Sequence, residues 1–187
     1  MGRILKMSVA CGLDALGDIC PDDVAGIVTF TGMGFMKDTI SFGNSIYDRG
    51  EDMLNPSPFM QSTFNTASGY IALIRKIKAY NTAYVQQAAG FAAAFADAVM
   101  LLSENPGRYV LAAGFDEVTP EVDILRRRLG LNDGMPLGEG AGAFLLSDCS
   151  GYARLCGMAA ASDNADELVA ECMPGHPAVN VIRCSTL

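Results

Sequence analysis

Tryptophan is absent from the 187 residues, histidine occurs once, and the 13 Lys and Arg are outnumbered by 21 Asp and Glu, for a formal charge of -8. Each shortage removes a class of function. A surface that binds nucleic acid needs clustered cations to displace counterions from phosphate. The one basic run, "RRR" at Arg126, Arg127 and Arg128, reads instead as a solvated helix face. With His176 alone, in the turn-like "PGHP", no Ser-His-Asp constellation can be assembled. Cys11, Cys20, Cys149, Cys156, Cys172 and Cys184 contain no CxxC pair, so neither a zinc site nor another metal or cofactor is expected and the thiols read as free and buried. A long uncharged run is missing from the first twenty residues, where Arg3, Lys6, Asp14 and Asp18 interrupt "MGRILKMSVACGLDALGDIC". That stretch makes neither a secretory core nor a membrane span, and a cytoplasmic location is expected.

What is present is apolar residue, half of the chain, enough for the core of a single domain over residues 1–187. Leu5, Val9, Leu13, Leu16 and Cys20 recur at helical spacing and predict a helix ending before Pro21. "VAGIVTFTG" predicts a buried strand. From Phe35 to Pro58 no period persists, and Asp38, Gly43, Asn44, Gly50, Pro56 and Pro58 mark a long irregular loop. Ser62, Asn65 or Thr66 then caps a helix with a stripe of Tyr70, Ile71, Ile74 and Ile77. A strand over residues 79–86 runs directly into "AAGFAAAFADAVMLLSE", residues 88–104, apolar on every side apart from Asp97 before its last turn. Such a helix belongs in a core and is short for a membrane span. A strand follows at Tyr109 to Phe115, then a helix capped by Thr119 with Val122, Ile124, Leu125 and Leu129. "LGEGAGAFLLSD" predicts close backbone approaches and then a strand near residues 143–146. Weaker patterns predict a helix at 163–172 and a strand at 179–183. Alternating strands and helices imply an α/β fold with a mainly parallel, covered sheet.

Glycine pairs carry little chemistry here. "TGMGF" has Met36 and Lys37 where a dinucleotide fingerprint needs its third glycine. Asp116 and Glu117, at a strand end, are an acid pair in principle, but capping and loop hydrogen bonds account for them. The informative place is "YVQQAAG", where a strand turns sharply into a buried helix. A side chain at such an elbow stands above the positive helix end, where nucleophiles are commonly put. Glutamine is no nucleophile, but it both donates and accepts hydrogen bonds.

"NPSPFMQSTFNTASGYIALIRKIKAYNTAYVQQAAGFAAAFADAVMLL", then "YVLAAGFDEVTPE", then "GEGAGAFLLSD" resemble the N-terminal half of a β-ketoacyl synthase of the thiolase-like superfamily, over residues 24–148. "PSPFMQSTFNT" further resembles the synthase homologues of bacterial aryl-polyene and flexirubin-type pigment pathways. The resemblance implies a thiolase-like half: a mainly parallel mixed sheet covered by helices, with a buried central helix after the elbow strand. It also implies an elbow cysteine that takes an acyl chain from an acyl carrier protein, and two histidines in the C-terminal half that stabilise the enolate. Anchored on Gly90, the cysteine position falls on Gln87, with Gln86 and Ala88 as the adjacent alternatives. By the same resemblance Gln86, Ala88 and Phe91 are the substrate-binding candidates.

None of the three elbow candidates is a thiol, and His176 lies outside the matched region. The expectation is therefore a non-catalytic, chain-length-factor-like subunit of fatty-acid or polyketide-type biosynthesis. Glutamine-type loading domains also carry this residue, but decarboxylation there needs the missing histidines. Two alternatives stand beside it: a thioester-handling acyltransferase using another thiol such as Cys11 or Cys20, and a truncated structural remnant. The partners implied are a second copy or a full ketosynthase, and an acyl carrier protein.

Overall fold

The computed structural model describes residues 1–50, 52–130, 137–149 and 151–155, and of residues 87–89 the backbone alone. The patterns expected at 163–172 and 179–183, His176, and Cys156, Cys172 and Cys184 lie outside the described residues. The elements run α1 (Arg3–Leu16), β1 (Val24–Thr31), α2 (Met36–Arg49), α3 (Pro56–Ser62), α4 (Thr66–Arg75), β2 (Tyr80–Val85), α5 (Gln87–Glu104), β3 (Tyr109–Asp116), α6 (Pro120–Arg128) and β4 (Gly140–Ser147).

The four strands form one mixed sheet in the order β2-β1-β3-β4. Parallel pairing joins β1 to both β2 and β3, and β4 returns antiparallel to β3. Period-2 alternation, interrupted in β1 by a register shift between Val24 and Gly26, divides the buried residues between two faces. One face carries Ile27, Leu111 and Phe115 against Ile4, Leu5, Val9 and Leu16 of α1 and Ala67 and Ile71 of α4. The other carries Ala25, Val28, Val110 and Ala112 against Ala94 and Ala98 of α5. Small residues on both sides of this second contact let the α5 backbone lie close to the sheet. A buried Leu or Ile on the first face contributes about 1.5–3 kcal/mol, so the α1 side is the energetically heavier half of the core.

Several expectations need correction. The stretch read as a loop from Phe35 to Pro58 is mostly two helices, α2 and α3. Gly43 and Asn44 sit inside α2, and its helix ends where Gly50 takes the left-handed conformation (φ 59°). Pro56 opens α3 at its first position, behind Asn55, whose side chain accepts from Ser57 N–H at 3.0 Å. The pattern was invisible because neither helix has a buried residue, so no core stripe was imposed on it. α1 stops at Leu16, since Gly17 turns the chain with φ 48° and donates to Leu13 and Asp14 carbonyls. On α4 the buried face is Ala67, Ser68 and Ile71, while Tyr70 and Ile74 are exposed; on α6 only Val122 is buried. The close backbone approaches expected at "GEGAG" are not found either: the strand already begins at Gly140, and added side chains at Gly138, Gly140 and Gly142 would meet nothing within 4 Å.

Candidate functional site: the strand-to-helix elbow

β1 and β2 end level, with Thr31 opposite Val85. The chain then takes one extended residue, Gln86 (φ -142°, ψ 123°), and enters α5 with no loop between. The Gln86 carbonyl accepts the Gly90 N–H at 3.0 Å, which fixes the first helical turn. The Gln86 side chain makes no capping bond, so the first-turn amides keep the donor capacity that helix N-termini offer to an oxygen gaining negative charge. Of the four candidates, Gln86 is the N-cap, Gln87 is the first residue of α5, Ala88 follows in the first turn, and Phe91 lies in the second.

Gly90 decides how closely α5 meets the sheet. A Cβ there would stand 2.4 and 2.6 Å from Phe30 Cε2 and Cδ2 at the end of β1, so only glycine leaves room for this ring. Phe30 in turn starts a file of aromatic contacts: edge-on to Phe91 at 6.3 Å, Phe91 stacked on Phe95 at 5.6 Å, and Phe95 edge-on to Phe144 of β4 at 6.2 Å. The file gives the elbow side of α5 an apolar wall suited to hydrocarbon.

At the other side of α5, Tyr80 and Tyr84 share one face of β2 and both meet Asp97. Tyr80 Oη donates to Asp97 Oδ2 at 3.2 Å. Burial pushes both tyrosine hydroxyls up and the Asp97 charge adds to that, so they stay protonated donors. The residue pattern held the signal, two tyrosines four apart facing the single charge within α5's apolar run, but its meaning needed the packing. On β2, Tyr80 belongs to the α5 face, whereas Asn81 reaches α4 on the opposite face through Ser68 O at 3.1 Å.

The other sequence candidates lie elsewhere. Asp116 is consumed by the loop after β1, accepting from Thr31 Oγ1 (2.9 Å), Gly32 N–H (3.0 Å to each oxygen) and Met33 N–H (3.2 Å). Those amides are therefore not free to cradle a phosphate, which agrees with the weak fingerprint of "TGMGF". Glu117 is different: it is 5% exposed and neither carboxylate oxygen has a hydrogen-bond partner.

Cys11 and Cys20, the thiols of the acyltransferase alternative, are not near the elbow, and the expectation of buried thiols is corrected for Cys20 and Cys149, which are exposed. Cys11 is on α1, on the sheet face opposite α5, and burial, then Asp14, pushes its thiol up and away from the thiolate. Cys20 precedes β1, at the other end of a strand of 8 residues, which is roughly 25 Å from the level of the elbow. Cys149 follows β4 at that same far end, because Ser147 pairs with Tyr109.

A mixed sheet with a strand that turns without a loop into an alanine-rich helix is an α/β arrangement consistent with the thiolase-like half expected from the sequence. Residues 27–130 match the family of the β-ketoacyl synthase N-terminal domain, more than half of the chain, and the protein belongs to that family. Among solved structures, the fold is similar to a ketosynthase (ApeO) in complex with its chain length factor (ApeC) from Xenorhabdus doucetiae (TM-score 0.66, 19% identity, 81% of this chain and 59% of that one). It is also similar to the ishigamide ketosynthase/chain length factor (TM-score 0.66, 21% identity, 78% and 43%). A β-ketoacyl synthase from Burkholderia phymatum aligns with TM-score 0.58 at 19% identity, over 78% and 41%. The chain thus spans between 41% and 59% of the length of these structures. No functionally curated protein matches it in sequence.

Proposed function

We propose that this chain is a non-catalytic, chain-length-factor-like subunit that pairs with an active ketosynthase and helps to shape its acyl pocket. The reading rests on Gln87, the first residue of α5 and separated from β2 by Gln86 alone, which stands where the resemblance to the synthases, anchored on Gly90, would put the nucleophile. A carboxamide there offers hydrogen bonds but forms no thioester. None of the thiols among the described residues stands near enough to replace it. The acyl carrier protein, on this reading, delivers its chain to the partner's cysteine.

The surface beside the elbow supports a partner. β2 is the outermost strand, with β1 on one side and no strand on the other among the described residues. Open edges are rare in native proteins because they invite pairing. The outer side of α5 keeps Ala92 exposed and Met100 63% exposed, and Tyr80 is 45% exposed beside it. The all-round apolar pattern of this helix is met by the sheet on one side only; a partner on the other side accounts for the rest. Obligate interfaces of this kind commonly bury more than about 2,000 Å².

The test is sedimentation of the purified chain alone and with a full ketosynthase, together with mass spectrometry after exposure to an acyl thioester. A complex with the synthase, and no covalent adduct on this chain, is expected. A stoichiometric adduct would overturn the non-catalytic reading, and a folded monomer that ignores both itself and the synthase would leave a structural remnant.

A further inference from the structure

Between residues 79 and 104, the elbow strand and α5 together, the sequence holds two charges, Asp97 and Glu104, and no Lys, Arg or His. Glu104 is exposed at the last residue of α5. Asp97 is half-buried in mid-helix, between alanines that form helix better than it does, so helix formation gives no reason for it.

Packing turns this carboxylate toward the open edge of the sheet. Tyr80 of β2 donates to Asp97 Oδ2 at 3.2 Å. Leu101, one turn further along α5, lies so close over Gly26 of β1 that a Cβ there would meet it at 2.5 Å, and Gly26 is the register partner of Tyr80. Asp97 therefore stands above the β1–β2 pair, beside an edge strand with no neighbour on its outer side among the described residues. No ion pair holds it among the described residues. A carboxylate has about four acceptor sites, and a single exposed hydroxyl leaves most of them to solvent.

A partner lying on the β2 edge and the outer side of α5 would take Asp97 out of water. A carboxylate buried without a cation or several donors is strongly disfavoured. A second copy of the chain cannot supply the cation. Closed pairing of one edge with itself is two-fold and antiparallel, each copy presenting the same residues. Centred on β2, it sets Tyr80 opposite Val85 of the other copy, and the cation just before that strand, Lys78, falls roughly 20 Å away along it. Residues 79–104 of the second copy would bring only a further Asp97 and Glu104.

We propose that Asp97 selects the partner at this surface: it receives a Lys or Arg side chain from a different protein and disfavours pairing of the chain with itself. The proposal rests on the reading of the chain as one member of a ketosynthase pair, and adds to it the charge that the partner must carry, facing Tyr80 at the start of β2.

Sedimentation of the native chain and of Asp97→Asn, alone and with a full ketosynthase that binds the native chain, tests both halves. Alone, Asp97→Asn should self-associate at least about tenfold more tightly than the native chain, because a neutral amide is buried at lower cost than a charge. With the synthase the order should reverse. Asp97→Asn should bind at least about tenfold more weakly, and its complex should respond less than the native one to raising salt from about 0.05 M to about 0.5 M, since the charge pair is gone. Asp97→Ala, a better helix former, serves in its place if the asparagine variant fails to fold. Self-association no tighter in the variant than in the native chain, a synthase complex as tight with the variant as with the native chain, or an equal salt response would overturn the role of Asp97. If no ketosynthase binds the native chain, the subunit reading falls, and the self-association comparison still judges Asp97.

Discussion

Gly90→Ala and Gly69→Ala make the same chemical change in two helices and should move stability in opposite directions. Alanine is favoured over glycine in a helix interior by about 1 kcal/mol. At Gly69, in α4, an added Cβ meets nothing within 4 Å, so this gain is expressed in full. At Gly90 the same Cβ would lie 2.4 and 2.6 Å from two Phe30 ring atoms and 3.2 Å from Gln86 Cβ. The ring has little room to retreat, since Phe91 packs on it and Gly114 lies beneath its other edge. Overpacking of this kind costs about 1–3 kcal/mol. At the upper end of that range, net of the helical gain, Gly90→Ala should be destabilised by about 2 kcal/mol. Urea unfolding followed by circular dichroism, with an unchanged slope, measures both variants on one scale. In melting temperature the expected shifts are about +2 to +4 °C for Gly69→Ala and about -4 to -8 °C for Gly90→Ala. Adding Phe30→Leu to Gly90→Ala should recover part of the loss through non-additivity. A Gly90→Ala protein as stable as the Gly69→Ala protein would refute the close contact of α5 with β1, and with it the elbow geometry.

Thr119→Ala removes the Oγ1 that accepts from Val122 N–H at 3.3 Å and should cost about 1 kcal/mol, read by the same unfolding assay. Gln87→Cys should gain thioester formation with an acyl donor, because the helix N-terminus lowers a thiol pKa, yet release no carbon dioxide from malonyl carrier protein; appreciable release would contradict the inactive reading. Ala83→Lys, on the open edge strand and in the groove beside it, should abolish association with a synthase in sedimentation, since an unpaired charge would have to be desolvated at several kcal/mol. Retained association would move the interface elsewhere.

The sequence by itself determined the parts whose burial is periodic. β1 and β3 stand out as apolar runs because the sheet is buried, and α5 stands out too although only one of its sides packs on the sheet; Thr119 could be read as a cap because that interaction is local. The elbow was legible too, as a glutamine pair between a strand and a glycine-containing helix. The tertiary structure alone decided the rest, because it depends on residues far apart in the chain. Residues 36–49 and 56–62 are helical without a core stripe, held by each other, so their sequence carries no period to detect. Asp116 and Glu117 are adjacent acids with identical prospects on paper. The register of β3 beside β1 gives the first four hydrogen bonds from residues 31–33, while the second is buried with no hydrogen-bond partner. Likewise Cys11 and Cys20 became irrelevant to the elbow only when parallel pairing put one behind the sheet and the other at the far end of β1.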